Sequence, residues 1–397
     1  MRISTSSAFE AGIETLTKRQ IELSQSQERL TSGKRVAKAS DDPAAAARAE
    51  RALAGILRSE TSQRAVEASR TAMTLTETAL GDANELLQQA RESLVAAGNA
   101  SYSDQERQGL ATKLAGIRQQ LLAVANRGDG SGSYLFAGQG TTLAPFLDAA
   151  GGVSYQALAG ELRTEGGTDL PLSADGESIW MTARTGNGVF ETSAGAGVTG
   201  AWIDNGQVSD PSAITGSTYT LQFTVSAGTT TYAVLKDGLP TAVTAAPYTS
   251  GQDVVVDGMS FKITGTPASG DTFTVQPSTS TLSVFDALDK AIADLGTAGR
   301  SNAEIAQSNT DNLRNIDSVM GYMQRARAVA GEALLRVDNE TGRLDTQKLA
   351  AQTERSNAED LDMVDAISKF QNQQTGYDAA LKSYSMVQRM SLFQYLG

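Results

Sequence analysis

The sequence predicts an α+β protein: an elongated helical hairpin or coiled-coil bundle formed by both chain termini, with a central antiparallel β-rich domain inserted. Three observations carry this. Seven of the eight prolines (Pro145, Pro171, Pro211, Pro240, Pro247, Pro267 and Pro277) lie in residues 145–277, leaving only Pro43 in the flanks. The same stretch holds 19 of the 38 glycines. Both residue types break helices and mark turns, so the flanks can be long helices and the middle cannot. Finally, apolar residues recur with a heptad period at the two extremes of the chain.

Taken in order, the first seam is Phe9, Ile13, Leu16, Gln20, Leu23, Gln27 and Leu30, stepping by 4 and 3 alternately. Glutamines at core positions specify register while weakening the coil, so this segment is expected to be poorly stable alone. After the link from Ser32, Asp42 can cap a helix that has Pro43 in its first turn and runs from Ala44 to about Ala97. Ser103 and Glu106 form a capping box for the next helix, to about Asn126, and Gly128–Gly132 ends it. In the middle, alternating Val-, Thr-, Tyr- and Phe-rich runs read as strands at Tyr219–Val225, Thr229–Leu235, Asp253–Asp257, Ser260–Thr264 and Asp271–Gln276. Lys236-Asp237-Gly238 and Asp257-Gly258 are hairpin turns between them. Val284–Leu295 is a short amphipathic helix, and a second capping box, Ser301 with Glu304, opens a long helix to about Val337. The last seam, Met363, Ile367, Phe370, Gln374, Tyr377, Leu381 and Tyr384, repeats the steps of the first. The matching periods imply that the two ends pair, with each other or with copies in an assembly. The expected domains are 1–42 with 345–397 as terminal coiled coil, 43–144 with 278–344 as helical bundle, and 145–277 as outer β-rich domain.

Composition narrows the function. A chain of 397 residues, 40% apolar, has room for two or three domains with sizeable cores. It contains no cysteine and no histidine. That removes thiol nucleophiles, disulfides, Cys/His zinc sites and every histidine-dependent triad. A net charge of −12 repels nucleic acid and anionic membrane alike. The first twenty residues carry Glu10 and Glu14 without an apolar run, and no stretch reads as a membrane span, so neither a cleaved signal nor a spanning helix is expected. Residues 145–277 hold 13 acids against four bases, so most of the negative charge belongs to the middle and the flanks are nearly neutral.

Few motifs invite chemistry. Gly195, Gly197 and Gly200 satisfy G-x-G-x-x-G, yet no strand leads into them and no helix follows, so a loop is expected rather than a nucleotide site. Asp41 and Asp42 form a carboxylate pair at a helix start, where capping accounts for them. Lys34, Arg35 and Lys38 sit beside those acids as a solvated or interface loop. No catalytic residue, cofactor or metal is expected.

Several segments resemble a known family. Met1-Arg2-Ile3-Ser4, Leu30-Thr31-Ser32-Gly33-Lys34-Arg35-Val36 and Ser40-Asp41-Asp42-Pro43-Ala44 are similar to the N-terminal region of bacterial flagellin and the hook-filament junction proteins. Gly132–Gly138, Gly270–Pro277, Glu359–Asp362, Gln373–Thr375, Ala379–Tyr384 and Ser391–Leu396 resemble the junction members, whose C-termini differ from flagellin's. The resemblance implies a structural protein, secreted through the flagellar type III export channel and located in the extracellular bacterial flagellum, where it joins hook to filament. Its partners would be hook-associated protein 1, flagellin and copies of itself in a ring-like assembly, with an export chaperone binding within residues 350–397. Phe9, Ile13, Leu16, Leu23, Leu30, Met363, Ile367, Phe370, Tyr377, Leu381, Tyr384, Leu392, Phe393 and Leu396 would form the assembly interface. Flagellin itself and a flagellin-like adhesin are the alternatives; an enzyme in the middle domain is the rival from another class.

Overall fold

The computed structural model describes residues 5–164 and 169–396, with side chains described for 10–164 and 169–386. In chain order the helices are α1 (Thr5–Ser32), α2 (Pro43–Ala97), α3 (Asp104–Ala125), α4 (Gly176–Trp180), α5 (Val284–Gly296), α6 (Asn302–Glu359) and α7 (Met363–Leu396). The strands are β1 (Phe146–Ala149), β2 (Gly152–Tyr155), β3 (Phe190–Ala194), β4 (Ala201–Ile203), β5 (Gln207–Val208), β6 (Tyr219–Ser226), β7 (Thr229–Lys236), β8 (Leu239–Pro240), β9 (Ala246–Pro247), β10 (Asp253–Val256), β11 (Met259–Gly265) and β12 (Thr272–Pro277). Terminal helices therefore bracket a central antiparallel β domain, as the proline distribution predicts.

The helix starts follow their capping chemistry. Asp42 Oδ1 accepts from the Ala45 N–H at 3.0 Å at the start of α2. Ser103 and Glu106 close a reciprocal box on α3, and Ser301 and Glu304 do the same before α6, at 2.7 Å for the Ser301 N–H to the Glu304 carboxylate. The sequence ends the last long helix near Val337, but α6 continues to Glu359. An exposed mid-helix glycine such as Gly342 costs only about 1 kcal/mol relative to alanine, which the buried Val337 and Leu344 on either side outweigh.

The chain divides into two compact units, one built from the chain ends up to Arg64 and from Glu340 onward, the other from Ala65–Asn339. In the second unit, the helical core stacks Leu80, Leu87 and Leu94 of α2 with Leu114 and Leu121 of α3, Phe285 and Leu288 of α5, and Ile316 and Val319 of α6. Trp180 is fully buried there, stacked on Phe285 and edge-on to Phe136 and Phe146 at 5.4–6.0 Å between centroids. The β sandwich in the same unit has one sheet ordered β3-β12-β6-β7-β8, with β9 on β7, and another ordered β10-β11-β4, with β5 on β11. Alternate residues of both sheets, including Tyr219, Leu221, Phe223, Phe261, Ile263 and Phe273, make its core.

The two predicted hairpin turns carry positive φ at Asp237 and Gly238 (49° and 81°) and at Asp257 and Gly258 (39° and 80°). A third such turn, Ala227-Gly228, joins β6 to β7. Against the sequence reading, a strand does lead into the G-x-G-x-x-G segment, since β3 ends at Ala194, but β4 and not a helix follows it; in the loop between them a Cβ on Gly200 would come within 2.6 Å of the Thr266 carbonyl oxygen. Close approach to Thr272 at Gly195 and to Thr266 at Gly200, with a positive φ of 85° at Gly197, accounts for its glycines. Within the same unit α6 holds the sandwich through polar contacts: Gln307 Oε1 accepts from the Ile203 N–H at 2.8 Å, and Arg314, whose side chain is 4% exposed, donates to the Thr192 carbonyl at 3.2 Å. Burial pushes the neighbouring Asp311 carboxyl upward in pKa against the pull of Arg314.

Candidate assembly interface

The first unit contains both terminal seams. Helix α1 packs against α7, so the two ends of the chain pair with each other. The half-buried positions on α1 are Gly12, Leu16, Leu23, Ser26 and Leu30, and on α7 they are Ala366, Phe370, Gln373, Gly376, Tyr377, Ala380 and Tyr384. Both sets keep heptad spacing, but Gly12, Ser26, Ala366, Gln373 and Ala380 are half-buried in place of Ile13, Gln27, Ile367, Gln374 and Leu381, one residue toward the N-terminus, while Arg19 beside Gln20 is exposed and so is Met363. Leu16, Leu23, Leu30, Phe370, Tyr377 and Tyr384 are thus half-buried, while Ile13, Gln20, Gln27, Met363, Ile367, Gln374 and Leu381 face outward. The side chains of Phe9, Leu392, Phe393 and Leu396 lie outside those described.

The offset has a steric cause. Gly12, Ser26, Ala366, Gly376 and Ala380 are small and let the two backbones approach. A Cβ on Gly12 would lie 3.3 Å from the Tyr384 ring, while one on Gly376 would meet only the movable end of the exposed Arg19 side chain. Ser26 Oγ donates to Gln373 Oε1 at 2.5 Å, so the polar pair inside the seam is Ser26–Gln373 and the three glutamines read from the heptads stay in water. An apolar stripe wider than one seam remains open. Ile13, Ile21, Met363, Ile367 and Leu381 are 41–52% exposed, and Val364 is 82% exposed.

The links beside this pair are tied together. Arg35 N–H and Val36 N–H donate to the Glu359 carbonyl at 2.7 and 3.4 Å, and Leu361 N–H donates to the Gly33 carbonyl at 3.0 Å. Lys34 Nζ reaches the Glu359 carboxylate at 3.3 Å, and Arg35 reaches both the Ala358 carbonyl at 2.8 Å and Asp42 at 3.2 Å. The basic run is therefore a strap between the α1–α2 and α6–α7 junctions. Asp41 accepts from the Ala37 and Lys38 N–H groups, and the Lys38 bond holds its carboxyl below the usual range; Asp42 is lowered by the Ala45 N–H and then by Arg35. The carboxylate pair works as caps and turn closures. Among the described residues no cluster of three or more acids, histidines or cysteines is placed to hold a metal, and no helix is long and apolar enough to cross a membrane.

Comparison with known proteins places both flanks and the sandwich. Residues 3–141 match the bacterial flagellin N-terminal helical region, and residues 313–396 match the bacterial flagellin C-terminal helical region. Residues 192–277 match the D2-like domain of flagellar hook-associated protein 1. Flagellar hook-associated protein 3 of Salmonella typhimurium is 42% identical over 156 residues, 38% of this chain and 48% of the relative. The Escherichia coli protein of the same name is 33% identical over 203 residues, 50% of this chain and 62% of the relative. The alignments thus span about half to three-fifths of these relatives. A crystal structure of Xanthomonas campestris FlgL, 29% identical, superposes with a TM-score of 0.70 over 78% of this chain and 99% of that one. The flagellar junction protein FlgL of Legionella pneumophila, 27% identical, gives 0.65 over 70% and 95%.

Proposed function

Because the chain belongs with the flagellin-type proteins, carrying their N- and C-terminal helical regions and related to flagellar hook-associated protein 3, we propose that it is a structural subunit joining hook to filament. The observation that carries this is the half-covered stripe. One seam closes within the chain, between α1 and α7, and the adjacent outward positions Ile13, Met363, Ile367 and Leu381 keep an apolar face for neighbouring copies. Fully burying such side chains is worth about 1.5–3 kcal/mol each. With 41–52% of each still exposed, covering these four and Ile21 on assembly supplies on the order of 5 kcal/mol per subunit. The glutamines between them remain hydrated until a neighbour brings them partners, which sets register.

In this reading hook-associated protein 1 lies on the hook side and flagellin on the filament side, with copies of this chain forming a ring. The protein acts outside the cell after export, its chaperone contacts lie within residues 350–397, and it catalyses nothing. The nearly neutral flanks support the reading, since copies can stack without like-charge repulsion while the acidic domain stays outermost. A strain whose only copy lacks residues 1–30 tests it: the truncated protein should reach the medium but leave filaments unattached. Normal filament attachment by that strain refutes the proposal. Electron microscopy that found the chain along the whole filament, rather than in a short zone, would favour the flagellin reading instead.

A further inference from the structure

The second unit holds a cavity of about 310 Å³ between α2, α6 and the residues before and within α4. It is remote in sequence from both terminal seams, and its floor is apolar. Met73, Leu80, Ala174, Ala330 and Ala333 line it and are each at most 8% exposed. Its rim is cationic. Arg325 and Arg336 stand eleven positions apart on α6, roughly 16 Å along the helix axis, with Val329 between them 54% exposed.

The charges at the mouth are unbalanced. Arg163 is neutralised by Asp169 at 2.8 Å and Glu161 at 3.0 Å, and Asp175 caps α4 by accepting the Ser178 N–H. Arg325 lies over the Tyr322 ring at 4.8 Å, which fixes its direction without cancelling its charge. Neither Arg325 nor Arg336 has a carboxylate partner among the described residues. Two uncompensated guanidinium groups therefore flank an apolar well sized for one or two side chains.

We propose that this well docks a second copy of the chain, which inserts an apolar side chain flanked by carboxylates. Charge selects that occupant. The chain carries a net charge of −12, so an acidic segment of a second copy is drawn to the place where two free arginines sit beside buried apolar atoms. An exposed apolar side chain one helical turn from an acid without an ion-pair partner among the described residues, such as Val95 after Glu92, is the kind of segment that fits. The contact adds a lateral interface outside the terminal helices, and it rests on the reading of the chain as a polymer subunit.

The test places a photo-crosslinking benzoylphenylalanine at Val329 of the full chain in flagellated cells, with the same probe at Leu381 reporting the terminal interface. Irradiation should give a covalent dimer from both positions, and mass spectrometry should place the Val329 product on an acidic, apolar segment of a second copy. Replacing both arginines, R325E with R336E, should reduce the Val329 dimer at least fivefold while leaving the Leu381 dimer and the melting curve of the monomer unchanged. Dimer from Leu381 with none from Val329, or a Val329 product joined to a different protein, overturns the proposed contact and spares the polymer reading. Loss of the dimer at both positions overturns the polymer reading and this contact with it.

Discussion

Replacing Ile367 and Leu381 together by aspartate separates an assembly face from an internal core. Both lie on the outward side of α7, 45% and 41% exposed. In the monomer each aspartate keeps its carboxylate in water, so the loss is confined to the covered part of the side chain, about 1 kcal/mol each. A change of about 2 kcal/mol moves the midpoint of a chain this long by only about 2–4 °C. Under a neighbouring copy the same carboxylates lose water without gaining a cation, which costs several kcal/mol apiece after relaxation, on top of about 1 kcal/mol each of forfeited burial. The penalty on assembly is then on the order of 5–10 kcal/mol per subunit, repeated at every contact between copies that the proposed function requires. Circular dichroism melting of the purified monomer and counts of attached filaments read the two terms separately. The expected result is a nearly unchanged midpoint with secreted protein and detached filaments. Loss of cooperative melting would show that the stripe is internal core, and normal attachment would show that no neighbour covers it. Phe370→Asp, inside the α1–α7 seam, should behave oppositely and lower the monomer's helicity at once.

Three further outcomes test the packing. Trp180→Ala should destabilise the second unit by about 3–5 kcal/mol, whereas Trp180→Phe should cost under about 1.5 kcal/mol, because the buried indole N–H has no acceptor among the described residues to lose; denaturant titration distinguishes them. Gly176→Ala should cost about 2–4 kcal/mol in the same titration, since its Cβ would overlap the Phe136 carbonyl oxygen and the Tyr155 ring. Asp257→Asn keeps the positive-φ turn, which asparagine tolerates, and removes the Lys236 ion pair at 2.8 Å. The Lys236 ammonium, then the Tyr219 hydroxyl, hold this carboxyl below its usual 3.8, so its stabilisation is present above that pH and is lost as pH falls through the folded value. The midpoint of the variant should therefore lie slightly below that of the parent at pH 7, and the two should converge as the pH is lowered through the folded-state value of Asp257.

How much was legible follows from signal length. Helices with caps are readable because Asp42, Ser103 and Ser301 announce their starts by local hydrogen bonding, whereas the Ser283 cap of α5 is seen only in the structure. The strands of six to eight residues, β6, β7, β11 and β12, show alternation, and so does the four-residue β10 beside its Asp257-Gly258 turn. By contrast β3, β4, β5, β8 and β9 have two to five residues, and β1 and β2 have four each, too few to separate a period from chance. The end of α6 was misplaced because one exposed glycine is a weak breaker inside a long tertiary contact. The cation-rimmed well was invisible in sequence: Met73, Ala174 and Arg336 come from three distant segments, and no period connects them.

The seams show why a correct period can coexist with an incorrect face. A heptad count fixes the repeat, but two adjacent stripes on one helix share that repeat, and side-chain size decides which one a given partner takes. Here the chain's own partner takes the stripe containing Gly12, Ser26, Gly376 and Ala380, because small residues permit the closest backbone approach. The bulkier Ile13, Met363, Ile367 and Leu381 are left over. A monomer optimised for itself would have placed those large side chains in the internal seam, where their burial is greatest. Their displacement to the neighbouring stripe leaves an apolar face that the intramolecular pair does not use, which on the proposed function is the face a neighbouring copy covers. On the proposed function, the pair holds two antiparallel helices in fixed register, so that a neighbour meets a preformed surface and less ordering entropy remains to be lost when it arrives.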